Sequence, residues 1–348
     1  MSGQTGYLML EDGTMFGGRA VGADGASFGE AVFTTGMSGY QETVTDPSFA
    51  EQLVCFTAPM IGNYGVSDER LESATPQVKG VLMRRLGGDD WAQWLAAHGI
   101  VALDEIDTRA LTLHLRGSGS LRGAMVTESV GLAPADVLDQ VRTVPPMTGV
   151  ALVAQVTTPV PYVAEEHGQV SVALVDYGAK RSIVKRLAAA GAAVTVYPSV
   201  PDPEELVRHD GVLLSNGPGD PEPLTAEIRA LEATLGRVPI LGICLGHQLL
   251  GLATGHTTFK LPFGHRGANH PVLHRSSGRV LVTSQNHGFA VAPTDDTEAT
   301  YVSLYDGTVE GLEFPELRAK SVQFHPEAGP GPHDAWPILE GWVEELAS

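Results

Sequence analysis

The chain has 348 residues, enough for roughly two domains that each bury a core. Hydrophobic residues make up 43% and charged residues 18%, and Gly and Pro together fall short of the quarter that marks low-complexity chains, so a disordered or fibrous protein is excluded. Asp plus Glu number 41 against 22 Lys plus Arg, a formal net charge of −19 that repels polyanions, so no nucleic-acid partner is expected.

Cys55 and Cys244 are the two cysteines, too few for a disulfide framework and without CxxC spacing, which points to a reducing, cytoplasmic compartment. The opening stretch MSGQTGYLMLEDGTMF has no basic segment ahead of its short apolar run and does not read as a signal peptide. The longest apolar stretch, VPILGICLGHQLLGLATG, is interrupted by His247, Gln248 and several glycines, so neither a membrane span nor a membrane partner is expected.

From residue 1 to about 120, short runs such as EAVFTT and QLVCFTA alternate with Gly, Asp and Pro turns, the texture of a β-rich α+β domain. Helical stretches follow: DDWAQWLAAHG, then DTRALTLHLRG with Asp107 or Thr108 as N-cap and Gly117 as stop, then residues 132–144. Prolines at 145, 146, 159 and 161 break any sustained period. The N-terminal domain is therefore set at 1–150, a linker at 151–170 and a second domain at 171–348. In that second domain apolar runs alternate with helical ones: SVALVDYG and KRSIVKRLAAAG, AVTVYP and DPEELVRHD, GVLLSNGPGD and TAEIRALEATLGR, VPILGIC and LGHQLLGLATG. Such alternation implies βαβ crossovers and an α/β fold with a doubly wound, mostly parallel sheet, which binds ligands beyond the carboxyl ends of its strands. More β-like segments come next, and a final helix spans about 334–346.

GICLG, residues 242–246, stands between an apolar run and an amphipathic helix with the spacing of a nucleophile elbow, cysteine replacing serine. Glycines on either side permit the sharp turn. Cys244 then projects at a helix N-terminus, where the dipole and free N–H groups favour thiolate; the alternative is a buried structural cysteine. A nucleophile needs a base, and the base an orienting partner. His325 and Glu327 in FHPE follow the apolar run SVQF, and two residues apart on an extended segment they point the same way. SNGPGDP, residues 215–221, offers backbone N–H groups for an oxyanion, or is simply a good turn. QNHGF, residues 285–289, reads as a loop between strands, with Gly288 for close approach and Phe289 as a wall. His265, His270 and His274 lie near one another without ligands at metal spacing, so no metal is expected.

Together SNGPGDP, PILGICLGHQLLG, QNHGFAV and QFHPEAGPGPHD resemble the class I glutamine amidotransferases, over about 171–348. FGHRGANHPV and HPEAGPGPHD, with FTTGMSGYQETVTDPSF, TAPMIGNYGV and IDTRALTLHLR in the first half, are similar to the small, glutamine-hydrolysing subunit family of carbamoyl phosphate synthetases. Departures are Ala268, usually glycine there, and Gly329, commonly serine. The resemblance implies a glutaminase with Cys244 as nucleophile forming a thioester, His325 as acid and base, and Glu327 orienting it. It assigns L-glutamine binding to Ser48, Gly217, Gly219, Leu245, Gln248, Asn286, Gly288 and Phe289, with Leu245 and Gly217 holding the oxyanion. Lys180 reads either as support for a contact between the domains near Ser48 or as a solvated helix-start lysine. The resemblance also implies a partner, a large synthetase subunit that binds ATP, magnesium and bicarbonate and receives the ammonia, with no cofactor in this chain. The absence of a GxxxxGK[ST] phosphate loop agrees. The alternatives are the glutaminase of a different synthetase and a free-standing γ-glutamyl hydrolase.

Overall fold

The computed structural model describes residues 5–293 and 299–348; the first four residues of the stretch read for a signal peptide lie outside them. Two compact units emerge: one runs to Met147 and includes Pro262–Arg266, and the other holds Thr148–Leu261 and Gly267–Ser348.

The first unit contains β1 (Thr5–Leu10), β2 (Met15–Ala20), β3 (Ala26–Thr34), α1 (Tyr40–Thr45), β4 (Gln52–Phe56), β5 (Gly80–Leu82), α2 (Asp89–Ala97), β6 (Val101–Asp104), α3 (Thr108–Ser118), β7 (Leu121–Thr127) and α4 (Pro134–Thr143). Its strands run in the order β1-β2-β6-β5-β4-β3-β7 and close into a barrel, because β1 pairs antiparallel with both β2 and β7. Within QLVCFTA, residues 53–56 are all apolar because β4 is covered on both faces. Leu53 and Cys55 join Leu8, Leu82, Leu103 and Met125 in one core, while Val54 and Phe56 meet Tyr40, Trp91 and Leu95 in another. Each such side chain removed from water contributes about 1.5–3 kcal/mol. Asp107 caps α3, its carboxylate accepting from the Ala110 N–H at 3.0 Å. Gly117, the expected stop, lies inside that helix, which ends instead at Gly119 with φ 90°.

The second unit contains α5 (Val153–Val156), β8 (Tyr162–Glu165), β9 (Val170–Val175), α6 (Arg181–Ala189), β10 (Ala192–Tyr197), α7 (Pro203–Leu206), β11 (Gly211–Leu214), α8 (Thr225–Glu232), β12 (Ile240–Ile243), α9 (Leu245–Ala253), β13 (Thr258–His274), β14 (Val280–Val291), β15 (Ala299–Ser303), β16 (Val309–Phe314), β17 (Ala319–Val322) and α10 (Trp336–Leu346). Among the described residues these strands form one sheet in the order β14-β13-β15-β16-β17-β12-β11-β9-β10-β8. The run β17-β12-β11-β9-β10 is parallel, and antiparallel strands extend it at both ends. Helices cover both faces: Leu249, Leu250 and Leu231 of α9 and α8 pack with Val175, Val212 and Ile240, whereas Ile183 and Leu187 of α6 and Leu339 and Trp342 of α10 pack with Leu174, Leu213 and Leu241. This is the doubly wound arrangement that strand and helix alternation implies.

Residues 151–170, read as a linker, carry α5 and β8 and belong to the second unit. β8 pairs antiparallel with β10 at the sheet edge, and Pro159 and Pro161 precede it without interrupting its ladder. The final helix begins at Trp336, after a 3₁₀ turn over His333–Ala335.

Candidate active site

Strands β11, β12 and β17 are parallel neighbours in register, with Leu214 beside Gly242 and Ile243 beside Val322. Their carboxyl ends therefore release the segments beginning at Ser215, Cys244 and Gln323 along one edge of the sheet, the edge where such sheets bind ligands.

Cys244 sits between β12 and α9 at φ 54° and ψ −103°, a conformation rare for a residue with a side chain. The flanking glycines are required by space. A Cβ on Gly242 would lie 2.7 Å from the Gly246 carbonyl oxygen, and one on Gly246 would lie 2.4 Å from that of Leu214. Hydrogen bonds fix the turn: the Cys244 N–H donates to Val322 at 2.9 Å, Gly246 to Ser215 at 3.0 Å, and Gln248 back to Cys244 at 3.1 Å. Cys244 is 2% exposed, and its thiol lies 3.6 Å from the Asn286 carbonyl oxygen. The Leu245 N–H is the first amide of α9, outside the helix's own ladder.

His325 Nδ1 stands 2.8 Å from Glu327 Oε1, and Lys180 Nζ stands 2.8 Å from the same oxygen, all three residues being buried. The segment is a turn rather than the extended run expected, since the Ala328 N–H closes onto the His325 carbonyl at 3.2 Å and Ala328 has φ 50°. Burial alone lowers the imidazole's pKa. The Glu327 charge, the neighbouring Cys244 thiol and the Glu327 hydrogen bond outweigh it and raise His325 above its ordinary value. Burial pushes Glu327 the other way, toward the acid, but Lys180 and His325 hold it well below the usual carboxylate range. The result is a buried lysine–glutamate–histidine row that ends beside a thiol. Trp336 secures the turn, its Nε1 donating to the Glu327 carbonyl at 3.1 Å while its ring lies 3.3 Å beneath the Arg186 guanidinium.

Gly217 packs so tightly that a Cβ would meet the Tyr177 carbonyl oxygen at 2.2 Å and Leu245 Cδ2 at 2.7 Å, which brings its backbone beside the start of α9. Gly219 has a different job: it bridges Ala151 in the backbone, and a Cβ there would sit 2.7 Å from the Val150 carbonyl oxygen. QNHGF is not a loop but lies within β14, and Asn286 and Phe289 are buried. Cover from α9 explains the difference, since Gln248 Nε2 donates to the Phe289 carbonyl at 2.7 Å, and His287 Nδ1 lies 2.7 Å from the same oxygen. Ser48 belongs to the first unit, in the turn Pro47–Phe49, with its N–H donating to Asp46 Oδ1 at 2.9 Å. His270 sets its ring edge-on to Tyr305, and His274 stacks on Tyr301.

Lys180 is 2% exposed, so the solvated reading is corrected: burial against Glu327 is what its position at the carboxyl end of β9 provides. Gln323 was hidden in the apolar run SVQF, where it is fully buried and accepts from Gln248 Nε2 at 3.1 Å. Trp336 carried no sequence signal beyond its place at a helix start. No helix among the described residues is long and apolar enough to cross a membrane.

Residues 173–344 match the family model for class-I glutamine amidotransferases, and residues 8–125 match that for the carbamoyl-phosphate synthase small chain, CPSase domain. Similar whole chains include the carbamoyl phosphate synthase small chain of Synechococcus sp., 45% identical over 98% of this chain and 93% of that one. That of Syntrophotalea carbinolica is 43% identical over 97% and 96%. That of Streptomyces coelicolor is 45% identical over 97% and 94%.

Proposed function

Since this chain belongs to the carbamoyl phosphate synthase small chain family, we propose that it hydrolyses L-glutamine at Cys244 and hands the ammonia to a large synthetase subunit. The observation that carries the reading is the row Lys180–Glu327–His325 beside a cysteine on a strained strand-to-helix turn. The match over residues 8–125 favours carbamoyl phosphate synthesis over another synthetase or a free-standing hydrolase.

In this mechanism Cys244 Sγ gives its proton to His325 and attacks the side-chain carboxamide carbon. The carbonyl electron pair moves onto oxygen, where the N–H groups of Leu245 and Gly217 receive it. When the pair returns, the C–N bond breaks and His325 donates its proton to the departing nitrogen, releasing ammonia and leaving a γ-glutamyl thioester. Water then attacks, giving its proton to His325, and glutamate leaves as the thiol is reprotonated. Glu327 keeps the imidazole in one tautomer and stabilises its cation, as in other nucleophile–histidine–carboxylate sites. Lys180 keeps Glu327 ionised. Asn286, Gly288, Phe289 and Gln248 wall the glutamine, with Gly219 bracing the oxyanion loop. ATP, magnesium and bicarbonate belong to the large subunit's chemistry.

The test is glutamate release from glutamine by the purified chain, alone and with the large subunit, Mg-ATP and bicarbonate. We expect slow release alone and a sharp rise in the full mixture. Cys244→Ser is expected to abolish glutamine-dependent carbamoyl phosphate formation and to spare the ammonia-dependent reaction; loss of both would overturn the nucleophile assignment.

A further inference from the structure

Gln248 stands one turn into α9 from Cys244, and both hydrogens of its amide are committed: Nε2 donates to the Phe289 carbonyl at 2.7 Å and to Gln323 Oε1 at 3.1 Å. A primary amide has two donor hydrogens and one acceptor oxygen, so the group this side chain has left is its carbonyl oxygen. A single acceptor would leave the amide free to pivot about that contact. Two acceptors in different directions, one on β14 and one beyond β17, fix its plane.

Gln323 has no evident reason of its own to be there. Its side chain is 0% exposed, and its Nε2 is buried without a protein partner. Turning the amide over would satisfy nothing, because Gln248 presents an N–H to it and two donors would then face each other. Methionine or leucine would fill the same space without a buried, unpaired N–H group but would strip a Gln248 N–H of its acceptor, so what glutamine supplies here is that one contact. Residues that break a local rule in this way mark functional constraint. The main chain holds Gln323 in place, its N–H donating to the Glu310 carbonyl at 2.9 Å.

We propose that Gln323 is a positioning residue that orients the Gln248 amide, so that its carbonyl oxygen and not its NH2 group meets an N–H group of bound glutamine. The inference rests on the glutaminase reading and deepens it. Gln323 touches no substrate; it acts through Gln248, and it makes that side chain selective for a donor over a carboxylate or carbonyl.

The experiment measures KM and kcat for glutamine in the complex with the large subunit, together with the thermal midpoint, for wild type, Gln323→Met, Gln248→Met and the double variant. Expected are a KM about 10-fold higher in Gln323→Met, the effect of one neutral hydrogen bond, a much smaller change in kcat, and a thermal midpoint close to wild type, because the lost acceptor of Gln248 is offset by removal of the unpaired Gln323 Nε2. In the Gln248→Met background, Gln323→Met should add less than about two-fold to KM, because the residue through which it acts is gone. An unchanged KM in Gln323→Met, or effects that simply multiply in the double variant, would overturn the proposal. Gln323→Glu, which keeps an acceptor at the same atom, covers the case in which the methionine variant does not fold: a KM near wild type supports the proposal and a 10-fold rise overturns it. A wild-type complex that releases no glutamate would overturn the glutaminase reading and this inference with it. Wild-type turnover with an indifferent Gln323 overturns this inference alone.

Discussion

Two histidines, His247 and His325, are buried in the same unit and are pushed in opposite directions. Among the described residues the His247 ring hydrogen-bonds only the Ser321 hydroxyl, at 2.9 Å, and burial together with the charge of His256 lowers its pKa to about 3, so it stays neutral. His325 suffers the same burial but has a carboxylate at 2.8 Å, and the carboxylate wins. What separates a structural histidine from a reactive one is therefore the partner and not the depth. The pH dependence of stability follows from the signs. The folded pKa of His325 is raised, so its contribution is full below the unfolded value near about 6.5 and is lost as pH rises through the folded value. The folded pKa of Glu327 is lowered, so its contribution is full above about 4.3 and is lost as pH falls through the folded value. Glu327→Gln should cost about 3 kcal/mol at pH 6, as breaking a buried ion pair does. The gap from wild type should narrow by at least about 1 kcal/mol by pH 9.5. Urea denaturation at the two pH values checks this, and an equal gap at both would sink it.

At the scale of elements, glycines decide where helices end and strands turn, and their spacing alone does not tell which glycine does what. In α3, Gly117 is helical with open space around its missing side chain, whereas Gly119 adopts φ 90° and a Cβ there would sit 2.9 Å from the Pro262 carbonyl oxygen. Gly117→Ala is expected to raise stability by about 0.5–1 kcal/mol. Gly119→Ala, forced into a left-handed conformation against a backbone oxygen, should lower it by more than about 1 kcal/mol. Thermal unfolding of the two variants separates these outcomes; equal shifts would show that both positions are mere helix ends. The same distinction explains why the nucleophile turn was legible and QNHGF was not. Gly242 and Gly246 bracket a residue at a strand-to-helix junction, a pattern with one steric meaning, whereas Gly288 lies within a long strand whose cover comes from distant segments such as Gln248.

Across the whole molecule the excess of acidic residues sets a diffuse repulsion that folding must overcome. Raising ionic strength from about 10 mM to 150 mM shortens the screening length from about 30 Å to 8 Å. The thermal midpoint should therefore rise over that range, and a midpoint that stays flat or falls would show that the acidic groups are locally paired and not mutually repelling. The two units bury their strands differently, one by curling them into a barrel that leaves no edge and the other by covering both faces of an open sheet with helices. In the open sheet, parallel order places the ends of β9, β11, β12 and β17 on one edge, which gathers Lys180, Gly217, Cys244 and His325 from segments far apart in the chain.

By itself the sequence determined the alternation of strand and helix, the change of texture near residue 150, the steric signature of the Cys244 turn and the pairing of His325 with Glu327. Each of these is local: propensity, glycine spacing and short-range geometry act over a few residues and leave their mark in the string. Only the tertiary structure decided that 151–170 carries a sheet-edge strand, that QNHGF is buried strand, that Lys180 is drawn inside to meet Glu327, and that Gln323 clamps Gln248. Those outcomes depend on which segments become neighbours, and burial or the charge of a group more than a hundred residues away is not written in the residues that feel it.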